Sequence, residues 1–368
     1  MSKILYAAST QSHLERFHKP YLEELCRHHE VLTMATGTDV DLPVLFDKHF
    51  FSLTNLKSIG KIRRILKRER FDAVLVHTTL AAFLVRAAMI GMRHRPYVLN
   101  FVHGYLFSLP LSGMRDRVLL WCERLLRRQT DEIAVMNEQD LQICKTYRLC
   151  RGEAFMTRGM GVSIDPVIPV REESLRREFA KEGDLVCLFV GELSHRKNQS
   201  FLIRAAKRLC DEKVPIRLLL AGEGADRAEL EGLIAENQLE NTVFLLGNRE
   251  PILPYLSIAD LYVSASRSEG LPFNIMEAMS CGLPILASAT KGQTDLLADT
   301  EGVLYPHGDL DAFCYAVKDL AQKGMLGVGS CSYPTLERYR LESVFEENIE
   351  LLTRHITKRE GECNEGNL

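Results

Sequence analysis

Short apolar runs alternate with amphipathic stretches along nearly the whole chain, in two successive series. In the first series, strand-like runs at Ile4–Ala8, Glu30–Ala35, Ala73–His77, Tyr97–Val102 and Glu132–Met136 are interspersed with helical spacing at Phe17–Arg27, Leu80–Met89 and Val118–Arg128. The segment Ser9–His13 reads as a loop. The second series has strands at Leu185–Val190, Ile216–Ala221, Val243–Leu246, Leu261–Ser264 and Pro284–Ala287. Its helices are Phe201–Leu209, Arg227–Glu236 and Phe273–Met279. A strand that is followed each time by a helix can pair only in a parallel sheet covered on both faces. The 368 residues suit two domains at about 100–200 residues each. The fold class expected is therefore α/β, with two Rossmann-like doubly wound domains facing a cleft. Residues 1–165 and 166–340 form the domains, with turn residues in MGVSIDPVIP at the join. A helix follows at 341–357, and residues 358–368 are a frayed polar tail.

Several classes drop out. The most apolar stretch, Phe71 to Ile90, is broken by Asp72, His77 and Arg86, short of the ~18 clean residues of a membrane span. The apolar run at the N-terminus is too short for a signal peptide. The ten cysteines are scattered, with no CxxC and no zinc spacing, as expected of free thiols in a reducing cytosol. The net charge of −3 hides an asymmetry: residues 1–165 sum to +7 and residues 166–368 to −10. Lys57 to Arg70 holds seven basic residues and one acid, and Arg115 to Arg128 holds five arginines and two acids. Such helices meet anionic lipid or a phosphorylated acceptor, or are simply solvated faces. The interleaved aromatics of a nucleic-acid platform are absent, so no nucleic-acid partner is expected.

The chemistry concentrates in SASRSEGLPFNIMEAMSCGLPILAS, residues 264–288. A strand ends near Ser264, Glu269 lies in the following loop with Gly270 and Leu271, and a helix begins at Phe273. Glu277 sits about one turn inside that helix. Free N–H groups near Phe273 and Asn274 would make an anion site at the helix start. A diphosphate cradle flanked by two carboxylates that accept hydroxyl hydrogen bonds suits a sugar nucleotide. In FVGELSHRKN a strand ends at Gly191 and the loop delivers Arg196 and Lys197, cations able to neutralise a leaving diphosphate.

The E-x₇-E segment, with GLP, EAM and CGLP in register, resembles the donor-site signature of the fourth glycosyltransferase family, retaining enzymes of the GT-B fold. FVGELSHRKN is similar to that family's basic loop, with Lys197 matching directly and Arg196 one position off the commonest spacing. NFVHG places His103 where the family's histidine approaches the donor sugar. RGMGVSID (158–165) is similar to the segment at the domain join, and GNRE, with Arg249, to the loop that meets the base. The opening AASTQSHLERFHKPYLEEL resembles the start of bacterial capsule, exopolysaccharide and lipid-linked-oligosaccharide transferases, and puts Ser12, His13 and His18 on the acceptor side.

The resemblance implies a retaining hexosyl- or N-acetylhexosaminyltransferase. A nucleotide sugar, UDP-activated, is the donor, and a polyprenyl-diphosphate-linked saccharide of capsule or exopolysaccharide synthesis is the acceptor. His103, Glu269, Lys197 and Arg196 carry the chemistry. Glu277, Phe273, Asn274, Gly270, Leu271, Arg249 and Gly191 hold the donor. The first domain would bind the acceptor, the second the nucleotide sugar, and the helix from Leu341 would pack back onto the first. No metal or other cofactor is expected. The location implied is cytoplasmic, peripheral on the inner face of the plasma membrane.

Rival readings are weaker. Gly222–Ala225 lacks the third glycine and the acid of a dinucleotide fingerprint and reads as a turn. Asp39–Val40–Asp41 has the D-x-D look of a metal site but lies far in sequence from Glu269. The Glu pair alone would also suit a hydrolase. A sugar-nucleotide 2-epimerase of the same architecture and an idle scaffold in a polysaccharide assembly complex are the remaining alternatives.

Overall fold

The computed structural model describes residues 1–47, 52–163 and 165–365. The chain divides into two compact units, Met1–Val162 with Arg338–Leu368, and Ser163–Glu337. The breaks fall at 162/163 and 337/338, three residues before each boundary expected from the sequence.

Among its described residues the first unit has seven parallel strands: β1 (Lys3–Thr10), β2 (Glu30–Thr36), β3 (Leu42–Pro43), β4 (Ala73–His77), β5 (Tyr97–Val102), β6 (Glu132–Val135) and β7 (Ala154–Met156). Their order is β3-β2-β1-β4-β5-β6-β7. Helices α1 (Gln11–Phe17), α2 (Lys19–His28), α3 (Leu53–Glu69), α4 (Thr79–Ala88), α5 (Met114–Leu126) and α6 (Glu138–Tyr147) connect them. Successive side chains of a strand point to opposite faces. Accordingly Leu5 and Ala7 join Val74 and Val76 in one core, while Ile4, Tyr6 and Ala8 join Leu75 and Phe101 in the other. Both faces are covered, which is why the strands read as unbroken apolar runs.

The second unit has six parallel strands: β8 (Leu185–Val190), β9 (Ile216–Ala221), β10 (Val243–Gly247), β11 (Leu261–Ser264), β12 (Ile285–Ser288) and β13 (Val303–Tyr305), in the order β10-β9-β8-β11-β12-β13. Helices α7 (Glu173–Phe179), α8 (Gln199–Asp211), α9 (Arg227–Glu236), α10 (Leu253–Ile258), α11 (Phe273–Ser280), α12 (Gln293–Leu297) and α13 (Leu310–Gln322) complete it. Both sheets reverse their strand order beside the first strand of the unit, the topological switch point at which open α/β sheets bind ligands.

Helix α14 (Leu341–Glu365) belongs to the first unit. Its Asn348 Nδ2 donates to Tyr21 Oη (3.0 Å) and to the Gly159 carbonyl (2.9 Å), and Phe345 stacks on Tyr21 at 5.1 Å between centroids. His355 and Arg354 both reach Glu132. The sequence ends this helix at 357 and frays the rest. Instead the backbone stays helical to Glu365 through a run rich in helix-favouring Lys, Arg and Glu, and residues 366–368 lie outside the described residues.

Two further corrections concern the opening segment. The expected loop Ser9–His13 is divided: Ser9 and Thr10 finish β1, and α1 begins at Gln11 because Thr10 Oγ1 caps it by accepting from the His13 N–H. The single helix expected over Phe17–Arg27 is broken at His18, where Pro20 in the first turn of α2 has no N–H to continue α1.

Candidate active site

In the second unit, β8 runs out at Gly191, whose φ of +150° lies in the region that favours glycine. A Cβ on the neighbouring Gly222 would sit 2.0 Å from the Gly191 carbonyl oxygen, so the ends of β8 and β9 approach too closely for any side chain there. The GEGA segment is thus a strand-to-helix turn, as its sequence suggests. The loop after Gly191 then folds tightly, with the N–H groups of Lys197 and Asn198 both donating to the Ser194 carbonyl.

A second loop, after β11, is zipped onto the first. Arg267 N–H donates to the Arg196 carbonyl (2.8 Å), Arg267 Nη2 to Asn198 Oδ1 (3.1 Å), and Asn198 Nδ2 to the Ala265 carbonyl (3.1 Å). This sets Glu269 between two cations. Lys197 Nζ lies 2.7 Å from Oε1 and Arg196 Nη1 2.7 Å from Oε2, with Arg196 also donating to the Ser268 carbonyl at 3.1 Å. Lys197 and Glu269 are buried, whereas the Arg196 side chain is 42% exposed. Burial alone would raise the Glu269 carboxyl, but Lys197 and Arg196 beside it outweigh burial and hold it below the usual range. Burial also lowers the Lys197 ammonium, with Glu269 opposing. The loop Lys291–Gly292 presses from behind: a Cβ on Gly292 would lie 2.7 Å from the carbonyl oxygens of both Glu269 and Gly270.

Helix α11 follows Pro272, without a side-chain cap. Its amino end is less open than the sequence implies, because the Phe273 N–H turns back to the Leu271 carbonyl at 3.1 Å after Pro272 bends the chain. The Asn274 side chain faces inward, donating to the Val190 carbonyl (2.6 Å) and to Tyr262 Oη (2.8 Å), and so ties α11 to the end of β8. Glu277 is half-buried one turn further on. Burial, and then the charges of Glu277 and Glu269, push the Tyr262 phenol up, so both carboxylates act on one buried hydroxyl. Gly270 and Leu271 are buried beside Glu269, and Arg249 is exposed, its guanidinium 5.7 Å from the Tyr255 ring centre. The sequence reading missed Asn198, Arg267 and the Lys291–Gly292 turn. Only a turn-type sequence after β12 signalled the last.

Among the described residues of the first unit, the ends of β1, β4 and β5 gather four histidines. His13 lies on α1, His18 between α1 and α2, His77 at the last position of β4, and His103 just beyond β5. Ring centroids are 5.0 Å apart for His13–His18 and His13–His103, and 4.2 Å for His18–His77. His18 Nδ1 and Tyr6 Oη are 2.8 Å apart, and His77 Nδ1 and His103 Nε2 3.4 Å. Burial lowers His13 to about 4 and His103 to about 3, and His18 and His77 well below their ordinary value. Ser12 is exposed beside the cluster. Three of these histidines were singled out from the sequence, whereas His77 was not. Asp41, of the D-x-D segment, is held by the Thr33 N–H (2.8 Å) and hydroxyl (2.7 Å), a local structural role.

Comparison with known proteins follows the same division. Residues 170–326 match the family "Glycosyl transferases group 1", and residues 25–149 match "Glycosyl transferase 4-like domain". EpsD of Bacillus subtilis (strain 168), which carries a glycosyltransferase name, is 30% identical over 336 residues, 87% of this chain and 88% of that one. The UDP-Gal:alpha-D-GlcNAc-diphosphoundecaprenol alpha-1,3-galactosyltransferase of Escherichia coli is 26% identical, over 76% of this chain and 73% of the other. Among solved structures, Anabaena Alr3699/HepE in complex with UDP and glucose superposes with a TM-score of 0.74 at 19% identity, covering 96% of this chain and 100% of that one.

Proposed function

The chain belongs to the group 1 glycosyltransferases of GT-B fold, and from that premise we propose a retaining transferase that moves a hexosyl or N-acetylhexosaminyl group from a UDP-sugar to a polyprenyl-diphosphate-linked saccharide in capsule or exopolysaccharide synthesis. The observation that carries this reading is Glu269, buried and held by Lys197 and Arg196 at the strand ends of the second unit. An ammonium has three N–H groups, and one is spent on Glu269, so Lys197 keeps two for phosphate oxygens. Arg196 keeps a free edge of its guanidinium. Both stabilise the charge that develops on the leaving diphosphate, and neither requires a metal there. Glu269 retains lone pairs for sugar hydroxyls. Glu277, one turn into α11, takes the ribose hydroxyls.

In the reaction the bond between the anomeric carbon and the diphosphate oxygen breaks. The acceptor hydroxyl oxygen forms the new bond on the same face, and its proton passes to a phosphate oxygen of the departing nucleotide. The first unit supplies the acceptor side with the exposed Ser12 and the partly exposed His13, while His18, also expected there, is fully buried and can only support them from behind; His103 positions the reacting sugar.

We further assign the first unit to an anionic membrane surface. On α5, Met114, Val118, Trp121 and Leu125 form an exposed apolar stripe at helical spacing, flanked by exposed Arg115, Arg117, Arg124 and Arg128. Apolar side chains with an interfacial tryptophan and an arginine border suit a headgroup region. Among the described residues no helix is long and apolar enough to cross a membrane.

The test is incubation with UDP-sugars and a polyprenyl-diphosphate saccharide, followed by NMR of the product's anomeric configuration. Retained configuration supports the reading and inverted configuration contradicts it. An epimerase would interconvert the donor without acceptor, and an idle scaffold would do neither.

A further inference from the structure

Among the described residues, one set of histidine, cysteine and acidic side chains has its ligand atoms close enough to share a cation: His13, His18 and His103, within 4.8 Å of one another. We propose that these three imidazoles bind a divalent transition-metal ion of the zinc class, at the strand ends of the first unit.

The argument begins with unmet nitrogens. His13 Nε2 and His18 Nε2 are buried and have no hydrogen-bond partner. His18 is fully buried, so water has no direct access to its nitrogen. Buried polar atoms are rarely left unpaired, and each exception calls for an explanation. A cation shared between lone pairs satisfies them together, as a hydrogen bond between two acceptor nitrogens cannot.

The surroundings have the form that a ligating histidine needs. Tyr6 Oη, 2.8 Å from His18 Nδ1, can accept the Nδ1 proton, which leaves Nε2 as a bare lone pair aimed at the cluster. His77 Nδ1, 3.4 Å from His103 Nε2, orients the third ring from the strand behind it, while His77 itself is clamped between Tyr6 and Phe101, at 4.7 and 4.8 Å between centroids.

Chemistry sets the class of ion. Three neutral nitrogens suit zinc, cobalt, nickel or copper, whereas magnesium and calcium prefer oxygen. Bonds of about 2.0–2.1 Å put tetrahedral nitrogens roughly 3.4 Å apart, against a spread of up to 4.8 Å between the ligand atoms here, so the rings must draw in on binding. Three protein ligands leave a fourth position for water or a substrate oxygen, the arrangement of catalytic rather than structural sites. With an ion in place, a substrate oxygen would meet the histidines through it. The expectation of no metal follows from the resemblance to GT-B enzymes and from the lack of zinc spacing in the sequence, whereas β1, β4 and β5 bring histidines together that are far apart in sequence.

The proposal is tested by metal binding alone, apart from transfer. Tag-free, chelator-stripped protein is titrated with Zn²⁺ against a chromophoric chelator, and separately with Co²⁺ while its visible absorption is recorded. One equivalent of Zn²⁺ should bind, with the Kd at least tenfold weaker in both His13→Gln and His103→Gln and unchanged in His28→Gln, an exposed control. Zn²⁺ should raise the Tm of the wild type but not of His13→Gln, whose cooperative melting without metal verifies its fold. Absence of stoichiometric binding, binding indifferent to both variants, or binding abolished by thiol alkylation (which places the ion on cysteines) would each overturn it.

Discussion

Lys197 and Glu269, seventy-two residues apart, meet as a buried ion pair 2.7 Å long, one from the loop after β8 and one from the loop after β11. The pair joins the stability of the second unit to its chemistry. A buried cation that loses its carboxylate costs about 3–5 kcal/mol. Glu269→Ala should therefore lower the unfolding free energy by roughly that much and reduce transfer at least a hundredfold. In Lys197→Met/Glu269→Leu much of the stability should return while transfer stays lost. Urea unfolding and initial rates read the two effects separately.

Arg86 and Glu123 form the corresponding pair in the first unit, and no substrate role is assigned to it. Both side chains are buried and bonded twice at 2.9 Å, with the Ala82 carbonyl and Thr130 as further partners of the arginine. Glu123→Ala should cost about 3–5 kcal/mol and leave the KM for the donor unchanged at temperatures where the protein stays folded. Thermal melting with steady-state kinetics checks this.

The histidine cluster gives the first unit a pH dependence with a definite sign. The folded chain holds these imidazoles neutral, with His13 lowered to about 4 and His103 to about 3, while the unfolded chain protonates them from about 6.5 downward. Between those values the unfolded state binds more protons, so stability falls as pH falls. The slope is about 1.4 kcal/mol per pH unit for each histidine involved. Metal-free protein should show a steep loss of Tm from pH 6.5 to pH 4 and none of this loss above pH 7. His13→Gln should flatten the slope.

The membrane assignment predicts that binding to vesicles rich in anionic lipid falls with salt and with Trp121→Glu, and is absent on neutral vesicles. The charges to neutralise are Arg117, Arg124 and Arg128, together with Lys57, Arg64 and Lys67 on α3. Lys61 and Arg63 belong elsewhere: Lys61 donates to the Pro43 carbonyl, and Arg63 to those of Ala88 and Ile90, so their loss would disturb the fold. Flotation assays at two salt concentrations distinguish the outcomes.

The alternation of strands and helices was legible in the residues because parallel strands covered on both faces are continuous apolar runs. Ala73–His77, Tyr97–Val102, Leu185–Val190 and Ile216–Ala221 have the bounds expected. The meeting of Glu269 with Arg196 and Lys197 involves two short stretches, each of which could be singled out from its own residues. What escaped depended on contacts between distant segments. Nothing local to His77 indicates that β4 ends beside His18 and His103. The inward turn of Asn274 depends on Tyr262 and Val190, and the turning back of the Phe273 N–H at the start of α11 on the bend at Pro272. Where a single side chain set the backbone, as Thr10 does for α1, the signal was present but short.

Calorimetric titration with UDP, GDP and ADP, on the wild type and on Glu277→Ala, tests the central claim most directly. Hydrogen bonds to a charged carboxylate are worth about 1.5–3 kcal/mol, so the variant should bind UDP roughly 10–100-fold more weakly, with its melting curve unchanged. UDP binding to the wild type alone among the three nucleotides, weakened in the variant by that factor, is the result predicted. Wild-type protein that binds no nucleotide, or a Glu277→Ala variant that binds UDP as tightly as the wild type, would contradict the account of the donor site.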